Sequence, residues 1–391
     1  MPLNIGIIGG GGHVGIPLGL AFAFKGFDVT LIDINQNVIT QINQGIMPFV
    51  EEGAEPILKA CLHKNLRITS DMQAVAKVDV VFFVTGTPVD EHHCPKINEV
   101  MKIINLYLPY LNQKQLIVLR STIYPGMIDL IHHTIEKNWG HPPLLAFCPE
   151  RILQGKGIEE IFTLPQLISA TSPMAEDAAI KLFSAITPKT ICLKPKEAEL
   201  AKLITNSWRY VQFAIANQFY MMTEEMGLDF YTIFNALSDD YPRAKHYAKP
   251  GLAAGPCLFK DTMQLSSFYE NQYFLGQAAM LVNEGLPTFL VRQLEEKIGS
   301  LKNKKISILG MTFKANVDDT RESLSFKIKK LLEFKMAEVI THDPYLENAL
   351  PLQASIDAAD AVLLGVPHKE YLHLTPQKPF VDCWGIWPKK G

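Results

Sequence analysis

No run of about 18 consecutive apolar residues occurs in the chain, so nothing in it reads as a membrane-spanning helix. No large excess of one charge is present either. Lys and Arg number 37 against 40 Asp and Glu, for a formal net charge of -3, and a nucleic-acid-binding surface would need the opposite balance. We therefore expect no DNA or RNA partner. The six cysteines, Cys61, Cys94, Cys148, Cys192, Cys257 and Cys383, include no CxxC pair, which argues against a zinc framework or a disulfide scaffold and suits reduced thiols. His92, His93 and Cys94 are the one tempting metal cluster. Adjacent residues rarely converge on one ion and no second half follows at ligand spacing, so these three read as an exposed loop and no metal is expected. The opening "MPLNIGIIGGGGHVG" has neither the basic start nor the long apolar stretch of a signal peptide. The cytoplasm is the expected location.

What is present is globular composition, 48% hydrophobic and 20% charged over 391 residues. That length exceeds one ordinary core and suits two or three domains. Apolar runs alternate with helical stretches through "NIGIIG", "DVTLIDIN", "VDVVFFVTGTP", "QLIVLRST" and "PLLAFCPE", the pattern of a parallel α/β sheet. Residues 196–226 contain neither Gly nor Pro, and Pro195 and Gly227 bound them. They predict one helix of roughly 46 Å at 1.5 Å per residue. More helix follows to about residue 300, interrupted by a loop around Cys257. The first pattern then restarts in "KKISILGMTF", "AEVITHDPY" and "AADAVLLGVP". The expected fold is α/β, with two Rossmann-like domains of parallel strands at 1–195 and 301–391 and a helical middle domain at 196–300.

Gly10, Gly12 and Gly15 form GxGxxG between a strand and a helix, with Asp33 closing the next strand. Such glycines let backbone N–H groups approach a pyrophosphate at a helix N-terminus while the acid accepts from ribose hydroxyls. A merely tight turn is the plainer reading, and Gly9 with Gly11 offers a second register. Asp33 would repel a 2′-phosphate, so NAD is expected rather than NADP.

"PGLAAGPCLFKD" sets Cys257 among prolines and glycines. Beside a nicotinamide, a thiolate can trap an aldehyde as a thiohemiacetal that loses a second hydride to become a thioester. That chemistry needs a cation, an oxyanion stabiliser and a base. Lys202 and Asn206 stand four apart on the long helix and hence on one face. Asp261 follows Cys257 by four, and Glu150 ends an apolar strand. Taken alone, Cys257 reads more readily as a buried structural thiol, and Lys202 more readily as a solvated helix charge.

Together the pieces resemble the UDP-glucose/GDP-mannose dehydrogenase family along nearly the whole chain. The matches run in order: the glycine loop with Asp33, "TGTPVD" at 85–90, "STIYPG" at 121–126, "CPERILQG" at 148–155, "AKLITNSWR" at 201–209, the Cys257 loop, "VNEGLP" at 282–287 and "LGMTFKANVDDTRES" at 309–323. The resemblance implies oxidation of C6 of a nucleotide sugar to a uronic acid with two NAD per turnover, a dimer built on the long helix, and a role in making surface-polysaccharide precursors. Cys257 matches the nucleophile, Lys202 and Asn206 the oxyanion pair, Asp261 and Thr122 the residues that position water, and Glu150 the acid that assists thioester hydrolysis. Val14, Thr87 and Thr122 join the glycines and Asp33 as cofactor-binding positions. Lys260, Lys314 and Arg321 match substrate-binding positions, and Arg243 matches loosely an arginine that reaches a neighbouring subunit's sugar site. Arg151 and Arg209 resemble the branch acting on UDP-N-acetylhexosamines. The lysine in "GPCLFKD" is closer to the UDP-glucose branch, which stays as the alternative substrate. A two-electron dehydrogenase of similar architecture and a catalytically inactive nucleotide-sugar or NAD sensor are the competing classes, and Cys383 reads as packing.

Overall fold

The computed structural model describes residues 3–87, 89–90, 95–347 and 349–388, so His92, His93 and Cys94 lie outside the described residues. The chain divides into two compact units, Met1–Ile204 and Thr205–Gly391, and the boundary falls within the long helix. In the first unit eight strands form one sheet: β1 (Asn4–Ile8), β2 (Asp28–Ile32), β3 (Leu66–Thr69), β4 (Val80–Phe83), β5 (Leu116–Leu119), β6 (Leu144–Phe147), β7 (Gln166–Ala170) and β8 (Thr190–Cys192). Their order is β3-β2-β1-β4-β5-β6-β7-β8. All neighbours run parallel except β6 and β7, which pair antiparallel through Ala146↔Ala170 and Phe147↔Ser169. The sheet is thus parallel, as expected, apart from that one pair.

The strands are apolar on both faces because helices cover both. Ile5, Ile7, Val29, Leu31, Val80, Phe82, Leu116 and Val118 enter one core. The alternate residues Ile8, Val81, Phe83, Ile117, Leu119, Leu145 and Phe147 enter the other. A period of two with no polar face is what a doubly covered parallel sheet requires. Helix Gly15–Phe24 packs so closely that a Cβ on Gly19 would come within 2.6 Å of Leu31 Cδ2.

The long helix spans Pro195–Glu225. Pro195 suits its first turn, where a backbone N–H is not needed. Its end is set by Gly227, at φ +71°, with Gly227 N–H bonded to Glu224 O and Leu228 N–H to Thr223 O. A left-handed glycine of this kind closes a helix without strain. Glu199 on its second turn is fully buried and accepts the N–H groups of Gly126 (2.7 Å) and Ile128 (2.9 Å) at the start of helix Met127–Trp139. Burial pushes the Glu199 carboxyl above the usual carboxylate range. The long helix thereby braces the end of "STIYPG".

In the second unit, helices Phe230–Ser238, Leu258–Phe268 and Phe274–Ile298 precede a four-stranded parallel sheet, β10-β9-β11-β12. Its strands are β9 (Lys305–Leu309), β10 (Glu338–His342), β11 (Ala361–Leu364) and β12 (Phe380–Val381). Leu286, Leu290 and Leu294 of the helix Phe274–Ile298 pack with Ile306, Ile308 and Leu363 of this sheet in one core. Among the described residues no helix is long and apolar enough to cross a membrane.

Gly15 tests the packing of the first unit. A Cβ there would fall 2.6 Å from Gly10 Cα and 2.7 Å from Gly9 O, both backbone atoms that cannot swing away. We expect Gly15→Ala to destabilise this unit by about 1–3 kcal/mol, the cost of overpacking, measured as a lower urea midpoint.

Candidate active site

In an open α/β sheet, ligands gather beyond the carboxyl ends of the strands where the strand order reverses. Here that point lies between β2, β1 and β4. Beyond β1, Gly9 turns the chain at φ +74°, and a Cβ on Gly10 would meet Ile7 O at 2.7 Å and Leu31 Cα at 2.9 Å. Gly12 differs: its nearest potential contact is Gly9 O at 3.7 Å. Packing therefore demands Gly10 and Gly15, while Gly12 leaves room at the mouth of the loop. Helix Gly15–Phe24 begins after Val14 with no side-chain cap and no acid in its first turn. Its N-terminal dipole is thus left for an anion. Asp33, half-buried, already accepts the Gly11 N–H through Oδ2 (2.8 Å) and the Asn35 N–H through Oδ1 (3.0 Å). It shapes the loop while its carboxylate stays at the loop edge. The residues fit a dinucleotide pyrophosphate with a ribose near Asp33.

The neighbouring strands add their carboxyl ends to this edge. Thr87 follows β4 and is half-buried. Ser121 Oγ donates to Thr85 O at 2.5 Å, fixing the turn that carries Thr122, also half-buried. Glu150 follows β6 and is buried; its Oε1 accepts the N–H groups of Arg151 (2.7 Å) and Ile152 (3.0 Å), and its Oε2 forms an ion pair with Arg120. Arg120 is itself buried, donates to Cys148 O (3.0 Å) and Gln166 Oε1 (2.9 Å), and stacks its guanidinium over Phe183 at 5.2 Å. The sequence reading passed over Arg120. Its position at the end of an apolar strand, where a lone charge must be paired, was the available signal. The Arg151 guanidinium does not extend outward from Glu150: it donates to Pro165 O and is half-buried, and burial lowers its pKa from the ordinary arginine value.

In the second unit Cys257 is exposed and immediately precedes helix Leu258–Phe268. Its carbonyl accepts the Asp261 N–H at 2.9 Å. Asp261 is fully buried; its Oδ2 accepts from Asn206 Nδ2 at 2.6 Å and its Oδ1 lies 3.7 Å from Lys260 Nζ. Lys202 and Asn206 are both buried, one turn apart on the long helix. Burial of both contradicts the plainer reading of Lys202 as a solvated charge. Arg209, further along the same helix, is exposed.

Two clamps shape the cysteine loop. Asn217, fully buried, accepts the Gly251 N–H (2.8 Å) and donates to Gly251 O (3.0 Å) and to Asn283 Oδ1 (2.9 Å); Asn283 donates in turn to Tyr210 O (3.0 Å). The asparagine of "VNEGLP" is thus a buried strut for the loop. Gly255, at φ +97°, gives its N–H to Glu322 O at 3.2 Å, and a Cβ there would meet the Phe313 ring at 2.5 Å. The cysteine loop and the 310–324 loop are therefore in van der Waals contact. Arg321, exposed, is held by Asp319 through Nε (3.0 Å to each oxygen) and Nη2 (2.6 Å). Its pKa is raised above the ordinary value by that pairing, with a smaller contribution from Cys257. Lys314 is half-buried in the same loop. Arg243 stands apart in the exposed turn Pro242–Ala244, its Nε donating to Tyr241 Oη at 2.6 Å. Cys148 and Cys383 are buried thiols; burial pushes Cys148 up to about 12 and Cys383 well above its ordinary value.

The first unit thus carries an anion-receptive glycine loop, and the second an exposed cysteine four residues ahead of a buried Asp261 that Asn206 holds, the groups expected of a dinucleotide-dependent dehydrogenase. The chain belongs to the UDP-glucose/GDP-mannose dehydrogenase family: residues 3–187 match its NAD binding domain, 196–284 its central domain and 307–389 its UDP binding domain. It is an NAD-dependent nucleotide-sugar dehydrogenase. Among relatives, the UDP-N-acetyl-D-mannosamine dehydrogenase of Pyrococcus horikoshii is 28% identical over 92% of this chain and 88% of that protein. The NDP-N-acetyl-D-galactosaminuronic acid dehydrogenase of Ralstonia nicotianae is 25% identical over 97% and 95%. A UDP-glucose dehydrogenase structure from Pyrobaculum islandicum superposes with a TM-score of 0.91 at 27% identity, covering 99% of this chain and 95% of that one.

Gly12→Ala separates binding from folding. Because the site at Gly12 is open, this variant is expected to melt like the parent while binding NAD about tenfold or more weakly by calorimetry, a loss of at least about 1.4 kcal/mol. Among Cys148, Cys257 and Cys383, iodoacetamide is expected to modify Cys257 in the native protein and the other two only after unfolding, as read by peptide mass spectrometry.

Proposed function

We propose that the protein oxidises the C6 hydroxymethyl of a UDP-N-acetylhexosamine to the carboxylate in two successive two-electron steps. The exposed Cys257 at the start of a helix, with Asn206 and Asp261 bonded beside it, is the observation that carries the reading. NAD, when bound, supplies the hydride acceptor. Removal of a hydride from C6 and a proton from its hydroxyl leaves an aldehyde. Cys257 Sγ adds to that carbon, and Lys202 and Asn206 donate to the oxygen that gains charge. Loss of a second hydride from the thiohemiacetal leaves a thioester. Water held by Thr122 and Asp261 attacks the acyl carbon, Glu150 assists the proton movements, and the carboxylate leaves Cys257 as a thiol. A two-electron dehydrogenase would have no use for the cysteine, and an inactive sensor would have no use for the whole set.

The N-acetyl preference is supported by relatives that carry UDP-N-acetyl-D-mannosamine dehydrogenase as their name and by Arg209, whose exposed guanidinium can serve an amide carbonyl. Arg151, committed to Pro165 O, contributes less than its place in "CPER" implied. UDP-glucose is the second reading, favoured by the lysine of "GPCLFKD" and by the Pyrobaculum islandicum structure. Lys260, Lys314, Arg321 and Arg243 are assigned to the substrate; cationic donors suit a diphosphate. Residues 1–195, 196–300 and 301–391 are assigned as the NAD-binding, dimerising and UDP-sugar-binding domains. A homodimer along the long helix is supported by Ile204, Trp208, Ile215, Phe219, Met222 and Met226, exposed apolar residues that recur at helical spacing. The enzyme is assigned to the cytoplasm, making uronic-acid precursors of surface polysaccharides.

Purified protein with NAD is expected to release two NADH per sugar with one of UDP-N-acetylglucosamine, UDP-N-acetylmannosamine or UDP-N-acetylgalactosamine, and none with Cys257→Ala. Activity on UDP-glucose alone would overturn the N-acetyl assignment. One NADH per sugar, unaffected by Cys257→Ala, would overturn the mechanism.

A further inference from the structure

Residues 310–324, between β9 and helix Ser325–Phe334, contain no regular secondary structure yet carry Lys314 and Arg321 and press Phe313 against Gly255. An irregular loop needs partners for its backbone groups. Asp343, buried just beyond β10, accepts the N–H groups of Met311 (2.6 Å), Thr312 (3.0 Å) and Tyr345 (2.9 Å). His368, fully buried beyond β11, places Nε2 at 3.1 Å from Asp343 Oδ2 and 3.2 Å from Thr312 Oγ1, and Nδ1 at 2.9 Å from the Asn316 nitrogen. A backbone N–H can only donate, so His368 Nδ1 accepts and the ring proton sits on Nε2. Thr312 Oγ1 donates its own hydrogen to Lys314 O (3.0 Å), so its oxygen and Asp343 share the Nε2 proton. Asn316, at φ +61°, returns a bond by accepting the Lys369 N–H through Oδ1 at 3.1 Å. Burial opposes ionisation of Asp343, but its bonds to His368 and to backbone N–H groups outweigh that and hold it below the usual carboxylate range.

We infer that His368 is a positioning residue for substrate binding: as the neutral Nε2–H tautomer it links Asp343 to Asn316 and so fixes the loop that presents Lys314 and Arg321 to the nucleotide sugar. This inference rests on the reading of that loop as substrate-binding. Its specific content is the acceptor at Nδ1. An asparagine at 368 can offer an amide oxygen at the Nδ1 position, whereas a glutamine reaches only the Nε2 position.

The test uses the full-length Cys257→Ala protein, expected to bind sugar without turnover, and adds His368→Asn, His368→Gln or His368→Ala. Affinity for UDP-glucose, UDP-N-acetylglucosamine, UDP-N-acetylmannosamine and UDP-N-acetylgalactosamine is measured by calorimetry, with NAD affinity and an unchanged thermal melting curve as the checks that each variant is folded. His368→Asn is expected to stay within about threefold of its parent, and His368→Gln and His368→Ala to weaken sugar binding about tenfold or more, while NAD affinity is unchanged in all three. Equal binding by the Asn and Gln variants, or parental binding by the Ala variant, would overturn the inference. If Cys257→Ala alone binds none of these four UDP-sugars while still binding NAD, the functional reading fails and the loop's assignment fails with it.

Discussion

The hydrogen bond from Asn206 Nδ2 to Asp261 Oδ2, 2.6 Å long and buried, is the constraint on which the cysteine's surroundings depend. Cys257 sits in a loop rich in Gly, Ala and Pro that forms no sheet ladder, so its position must be imposed from outside. Asn206 imposes it from the long helix by gripping the first turn of helix Leu258–Phe268. Asn217 does the same three turns later on that helix by holding both backbone groups of Gly251. A single helix thus fixes the cysteine loop behind and ahead of the nucleophile. It can do so because it runs unbroken from Pro195 to Glu225.

The first unit reaches its chemistry by a different route. The parallel strands β1 to β6, covered on both faces, send their carboxyl ends to one edge, and the edge collects Gly12, Thr87, Thr122 and Glu150 from β1, β4, β5 and β6. Apolar strands supply rigidity, and the candidate site's polar residues stand where the strands stop. The Arg120–Glu150 pair shows what that border costs: two charges placed at the top of the core, each needing the other and several backbone groups to remain there.

Much of this was legible in the sequence because it depends on spacing. The glycine loop, the unbroken stretch 196–226 and the restart of strand patterning after residue 300 follow from local rules about φ angles, helix breakers and apolar runs. Cys257, Lys202, Asn206 and Asp261 could be chosen as candidates because the chemistry requires those groups, and the structure shows Lys202, Asn206 and Asp261 buried, Lys202 against its plainer reading as a solvated charge. Other features depend on contacts distant in sequence and left no local trace. The antiparallel pairing of β7, the strut formed by Asn217 and Asn283, and the support of the 310–324 loop by Asp343 and His368 join residues tens of positions apart. Arg151 shows the same limit: its place beside Glu150 says nothing of where a long side chain ends, and here it ends on Pro165 O.

The central claim is that oxidation proceeds through a covalent bond to Cys257. Its most direct test is intact-protein and peptide mass spectrometry of enzyme quenched by acid during turnover with NAD and the preferred UDP-sugar. The expected result is a mass gain equal to the UDP-uronyl group, mapped to the peptide containing Cys257 and removed by hydroxylamine. Quenched protein of unchanged mass, with free sugar aldehyde accumulating in solution, would contradict it.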